Sequence, residues 1–174
     1  MSMQRIIVVM LLFFLSEGTI FYWLLPDSLT GRVVPHFILA FVLFAAIYRN
    51  RHTALILGLS FGLLQDLAFY GKIIGVHSFT MALVGYTTGL LMERRRSTML
   101  MAMSMIVMST LVYDTVVYFI YSVFKLTHGT FEWALLHHIL PSLFLQIGFS
   151  LALYVPIRRW FESSGKKKSD EEEE

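Results

Sequence analysis

The chain has 174 residues, 56% of them hydrophobic, and a mean hydropathy of +0.66, an apolar excess that sets aside an ordinary soluble domain and points to a membrane protein. It contains no cysteine, which excludes disulfides, iron–sulfur clusters and thiolate zinc sites. The net charge of +2 is close to balanced, so the distribution of charge along the chain carries more information than its sum.

A helix needs roughly 20 apolar residues to cross a hydrocarbon core of about 30 Å. The first such stretch covers 6–25 and is ended by Pro26-Asp27; it is too long for a signal-peptide core and no small-residue cleavage pattern follows it, so it reads as a retained helix. A second helix is predicted over 33–48, with Pro35 in its first turn, where a missing N–H is harmless, and Arg49-Asn50-Arg51 after it. The third and fourth, over 54–70 and 74–92, are separated by a short connection, and the fourth stops at Glu93-Arg94-Arg95-Arg96. The fifth covers 98–124, long enough that it must tilt, bend or protrude, and the sixth 133–161, with Pro141 inside it and a bend expected there. The expected architecture is all-α: a six-transmembrane-helix bundle over residues 1–162. A charged tail over 163–174 is expected to lack structure.

Orientation follows from the basic residues. With the N-terminus inside, the cytoplasmic side carries 11 of the 14 lysines and arginines, Arg94, Arg95 and Arg96 among them, and the outer side only Arg32, Lys72 and Lys125. Both termini are therefore expected in the cytoplasm of a multi-pass plasma-membrane protein. The run Lys166–Lys168, flanked by acids, reads as a solvated tail rather than a lipid anchor.

Few ionisable or strongly polar groups lie inside these helices, and each is costly at bilayer depth. Glu17, Gln65, Asp66, Asp114, His137 and His138 all fall in the outer half under this topology, which suggests one polar layer where acids meet His137 or His138. That layer is either a cavity or contact surface for a partner, or a set of groups that satisfy one another. Gly58, Gly62 and Asp66 recur every four residues on one stripe, and Gly85 and Gly89 repeat the small-xxx-small pattern in the next helix, making the two natural neighbours. The methionines between Met99 and Met108 read as adaptable packing rather than metal ligands. Tyr113-Asp114 matches half of an intramembrane aspartyl protease pattern, but the Gly-x-Gly-Asp half is missing, since Asp66 follows Leu63-Leu64-Gln65. Walker, His-Glu-x-x-His and Gly-x-Ser-x-Gly patterns are missing too, so catalysis, cofactors, metals and nucleic acid are not expected.

The order Pro35-His36-Phe37, the basic Arg49–His52, Gly58-Leu-Ser-Phe-Gly62-Leu-Leu-Gln-Asp66, Gly75-Val-His-Ser and Val84-Gly85-Tyr86 resembles the MreD family. Ser16-Glu17 and Leu140-Pro141-Ser142 resemble its Gram-positive branch. The resemblance implies a non-enzymatic scaffold of the complex that builds lateral cell wall. It would bind MreC and, through it, meet MreB, the glycosyltransferase RodA and a class B penicillin-binding protein. The family is also similar to the substrate-binding subunits of energy-coupling-factor transporters, six-helix bundles with an outward cavity, which keeps a solute-binding subunit as the second expectation.

Overall fold

The computed structural model describes residues 3–24, 36–68, 73–92, 98–127 and 129–170. They form helices α1 (Met3–Leu24), α2 (Phe37–Tyr48), α3 (Arg51–Ala68), α4 (Val76–Met92), α5 (Met99–Val123) and α6 (Phe131–Ala134). The last continues through a π turn, Leu135–Ile139, into α7 (Leu140–Asp170). Counting α6, the π turn and α7 as one rod, the described residues make six helical rods and no strand. Met99–Val123 and Phe131–Ile157 are long and apolar enough to cross a membrane.

Helix α2 is at the centre because it has no polar face to present. Its sequence is apolar up to Tyr48, nine consecutive residues from Ile38 to Ala46 are buried, and α1, α3, α4, α5 and α7 all pack on it. Met10 of α1, Phe61 of α3, Met81 of α4, Ile106 of α5 and Ile157 of α7 fill the space around it. The outward faces stay apolar too, with Leu12, Leu67, Leu91, Leu100 and Phe144 all exposed, as expected of helices solvated by lipid rather than water.

Helices α3 and α4 form the tightest pair. A Cβ built on Gly58 would lie 2.8 Å from the Ala82 nitrogen, one on Gly62 2.5 Å from the Ser78 Cα, and one on Gly89 2.7 Å from the Arg51 Cα. Seven residues and then four up α3, from Arg51 to Gly58 to Gly62, meet seven and then four down α4, from Gly89 to Ala82 to Ser78, the register of an antiparallel hairpin whose backbones touch where side chains are missing. The Ser78 hydroxyl reinforces it by donating to the Leu59 carbonyl at 2.8 Å. Gly85 lies where three helices meet: its Cβ would be 2.8 Å from Val42 Cγ1 of α2 and 3.4 Å from the Ala54 carbonyl oxygen of α3, so it seats the hairpin on the central helix.

The helix ends follow local chemistry. Thr98 and Thr130 cap α5 and α6, their hydroxyls accepting from the amides of Met101 and Trp133, both at 3.4 Å. After α5, Lys125 takes φ 55°, its N–H donates to the Ser122 carbonyl and that of Leu126 to Tyr121. This is a Schellman ending with lysine in the left-handed position that glycine usually holds.

Pro141 has no N–H for the carbonyl four residues back, and the bend expected there takes the form of a widened π turn just before it, where the Leu140 amide donates to Leu135, five residues back. A second proline, Pro156, lies within α7. The backbone of 163–170 is helical as the end of α7, where composition alone suggests no structure; the lysines at its centre are good helix formers. Pro35, Arg32, Lys72 and the whole Arg94–Arg96 turn lie outside the described residues.

Candidate functional site

The second half of α1, the start of α2, the end of α3, the start of α4, the second half of α5 and the start of α6 come together at one end of the bundle. Three carboxylates collect there. Asp66, 2% exposed, is the most fully engaged: its Oδ2 accepts from the amides of Gly75 at 2.8 Å and Ser78 at 3.3 Å. Its Oδ1 accepts from the amide of His77 at 3.4 Å and lies 2.7 Å from His77 Nδ1. The carboxylate at the end of α3 thus caps α4, satisfying amides that a helix start otherwise leaves without partners. Gly75 makes this geometry possible, since it opens α4 at φ 98°, a conformation closed to most side chains. Because the carboxylate can only accept, His77 Nδ1 must carry the proton, which fixes the ring's tautomer when neutral.

Glu17 repeats the device. It is 7% exposed, accepts from Gln65 Nε2 at 3.3 Å, and takes hydrogen bonds from the amides of Phe37 and Ile38 in the first turn of α2. Asp114 of α5 makes the third contact, with its Oδ1 3.1 Å from Nε2 of His36, the residue just before α2. Between the pairs stands Tyr113, 1% exposed, its ring 5.2 Å from that of His36 and 6.2 Å from that of His77, and within electrostatic reach of Asp114, Glu17 and Asp66.

Glu17, Gln65, Asp66 and Asp114 gather at one end of the bundle, and the imidazoles that meet the aspartates there are His77 and His36. Asp66 meets His77 and Asp114 meets His36, rather than His137 or His138. His137 is exposed, stacked on Trp133 with centroids 5.0 Å apart, its Nδ1 3.1 Å from that residue's carbonyl. His138 turns inward and lines a cavity of about 550 Å³ together with Asp114, His36, Tyr121 and Trp133. Sequence reading missed His36, His77 and Tyr113 as members of the cluster; the usable signal was that His36 and His77 each begin a helix whose neighbour ends in, or carries, an acid. Gly58, Gly62 and Gly89 are taken up within the chain by the α3–α4 contact, so that face is covered by α4. Further along, Thr88 and Ser109 join α4 to α5 at 2.7 Å, and Gln146 and Ser150 of α7 are buried.

The profile of the rod shape-determining protein MreD family matches residues 2–163. Among curated proteins, the rod shape-determining protein MreD of Bacillus subtilis (strain 168) is 26% identical over 139 residues, covering 80% of each chain. No solved structure gives a significant match. With a family profile spanning nearly its whole length and an all-helical fold of apolar helices, the chain belongs to the MreD family of rod shape-determining membrane proteins.

Proposed function

We propose that this protein is the six-span scaffold of the rod complex. It would sit in the plasma membrane with both termini in the cytoplasm, bind MreC, and thereby hold RodA and a class B penicillin-binding protein in line with MreB. The observation that carries the reading is the use made of Asp66. Its oxygens engage the start of α4 and His77 and it is sealed from solvent, so the most conspicuous acid of the chain sets the spacing of two helices. An interface built on rigid elements needs that kind of fixed end. Family membership supports the role in shape, and the two long apolar helices support the membrane setting.

The test is co-purification. Asp66→Leu is expected to reduce recovery of MreC with the protein and to round the cells; wild-type recovery and rod shape would refute it. Orientation is tested separately, with reporter fusions in the Arg94–Arg96 turn. Lysine substitutions there should leave the topology unchanged and glutamate substitutions should disturb it. A second reading, a solute-binding membrane subunit, is favoured by the cavity of about 550 Å³, a volume within the usual range for small-molecule sites. That reading requires a small molecule retained through purification and visible by native mass spectrometry.

A further inference from the structure

The two aspartates at the polar end are already matched by imidazoles. Asp114 lies 3.1 Å from His36 and Asp66 2.7 Å from His77, and no lysine or arginine lines the cavity of about 550 Å³ among the described residues. An ion entering there would give up its water without meeting an uncompensated charge, so the cavity favours an uncharged ligand. Its walls narrow the choice to a ring. Tyr118 and Tyr121, three residues apart on α5, share one face of that helix, and Trp133 stands on α6. These rings are held in place from behind: the Tyr118 hydroxyl donates to the Gly129 carbonyl at 2.9 Å, and Trp133 stacks on His137 with 12° between the planes. His138 sets its edge against Trp133, 5.1 Å between centroids. One polar atom remains to orient a ligand. The side chain of His77 is 21% exposed against 8% for His36, and with Nδ1 turned to Asp66 the neutral ring keeps a lone pair on Nε2.

We propose that this cavity binds an uncharged aromatic solute carrying a hydroxyl or ring N–H, its ring among Tyr118, Tyr121 and Trp133 and its donor directed to His77 Nε2. Aromatic rings gain from edge-to-face and offset contacts beyond the area they bury, which an aliphatic solute of equal size does not. A single hydrogen bond to a fixed acceptor in an otherwise apolar lining is the usual division of labour in a small-molecule pocket. The proposal rests on the solute-binding reading and names the class of solute.

The experiment uses the full chain in detergent and ¹⁹F NMR with five probes: 4-fluorophenol, 4-fluoroanisole, 6-fluorohexanol, 4-fluorobenzylammonium and 4-fluorobenzoate. The phenol is expected to bind saturably, about threefold or more tighter than the anisole, which lacks the donor, and than the alkanol, which lacks the ring. Both ions should bind at least about tenfold more weakly than the phenol. Trp133→Leu and Tyr121→Leu should each weaken the phenol about threefold or more, while Phe144→Leu, on the exposed face of α7, should leave it unchanged. His77→Phe should erase the preference for phenol over anisole. If that variant does not fold, the ¹⁵N resonance of His77 Nε2 decides, since it should move on saturation with the phenol and stay in place with the anisole. Equal affinity for phenol and alkanol, or indifference to both the Trp133 and Tyr121 substitutions, would overturn the proposal. Saturable binding of an ion but not of the phenol would overturn it and leave the solute-binding reading standing; no saturable binding of any probe would count against both.

Discussion

At Gly62 on α3 an added methyl carbon would sit 2.5 Å from the backbone of α4, whereas at Gly148 on α7 it would meet nothing within 4 Å among the described residues. The same residue type serves opposite purposes at the two places. The α3–α4 hairpin is closed: glycines bring backbones into contact, Asp66 caps the facing helix, and Ser78 bonds across. The α5–α7 side is open: a π turn interrupts the helix, the histidines and tyrosines surround a cavity, and Asp114 keeps one oxygen without a hydrogen-bond partner among the described residues. Fixing one half lets the other remain accommodating without loss of the fold, which is the division expected of a site held by a rigid frame.

Substitutions can break that contrast or sharpen it. The largest effect is expected from Gly62→Val, where the helices must part; folded protein should be lost from the monodisperse peak in size-exclusion chromatography, while Gly148→Val keeps it. Next comes Asp66→Asn, which keeps the shape but weakens the charge-assisted bonds to three amides and an imidazole. A loss of about 2–3 kcal/mol in unfolding free energy is expected, read by denaturant titration in mixed micelles. Gly75→Ala should cost at least about 1 kcal/mol in the same assay, because φ 98° is strained for any side chain. The smallest change is Gly148→Ala, neutral or stabilising by up to about 1 kcal/mol, since alanine replaces glycine in an open helical position.

How much of this was readable beforehand depends on whether the information is local. The stripe Gly58, Gly62, Asp66 shows in the sequence because a period of four projects onto one helix face, and the short connection makes α4 the neighbour. Helix extents were likewise legible, with α5 beginning one residue from its expected start at its Thr98 cap. The identity of the imidazoles was not, because it depends on how helices rotate about their axes. His137 and His138 are at the right end of the bundle, but consecutive residues of the widened turn point in different directions, and only His138 lines the cavity. His36 and His77 fall in the first turns of the helices predicted over 33–48 and 74–92, where nothing nearby in sequence marks a partner; their role emerges only when Asp114 and Asp66 arrive from other helices. The irregularity at Pro141 was legible as a lost hydrogen bond, and its expression as a π turn was not, since widening and bending both relieve the same clash.

Two separate carboxylate–imidazole pairs, Asp66 with His77 and Asp114 with His36, organise one end of the bundle. Double-mutant cycles on unfolding free energy test it directly, pairing Asp66→Asn and Asp114→Asn in turn with alanine at His36, His77 and His137. Coupling of about 0.5–3 kcal/mol is expected within Asp66/His77 and Asp114/His36, and within about 0.5 kcal/mol of zero for either acid with His137. Coupling concentrated on His137, or absent from both pairs, would contradict it.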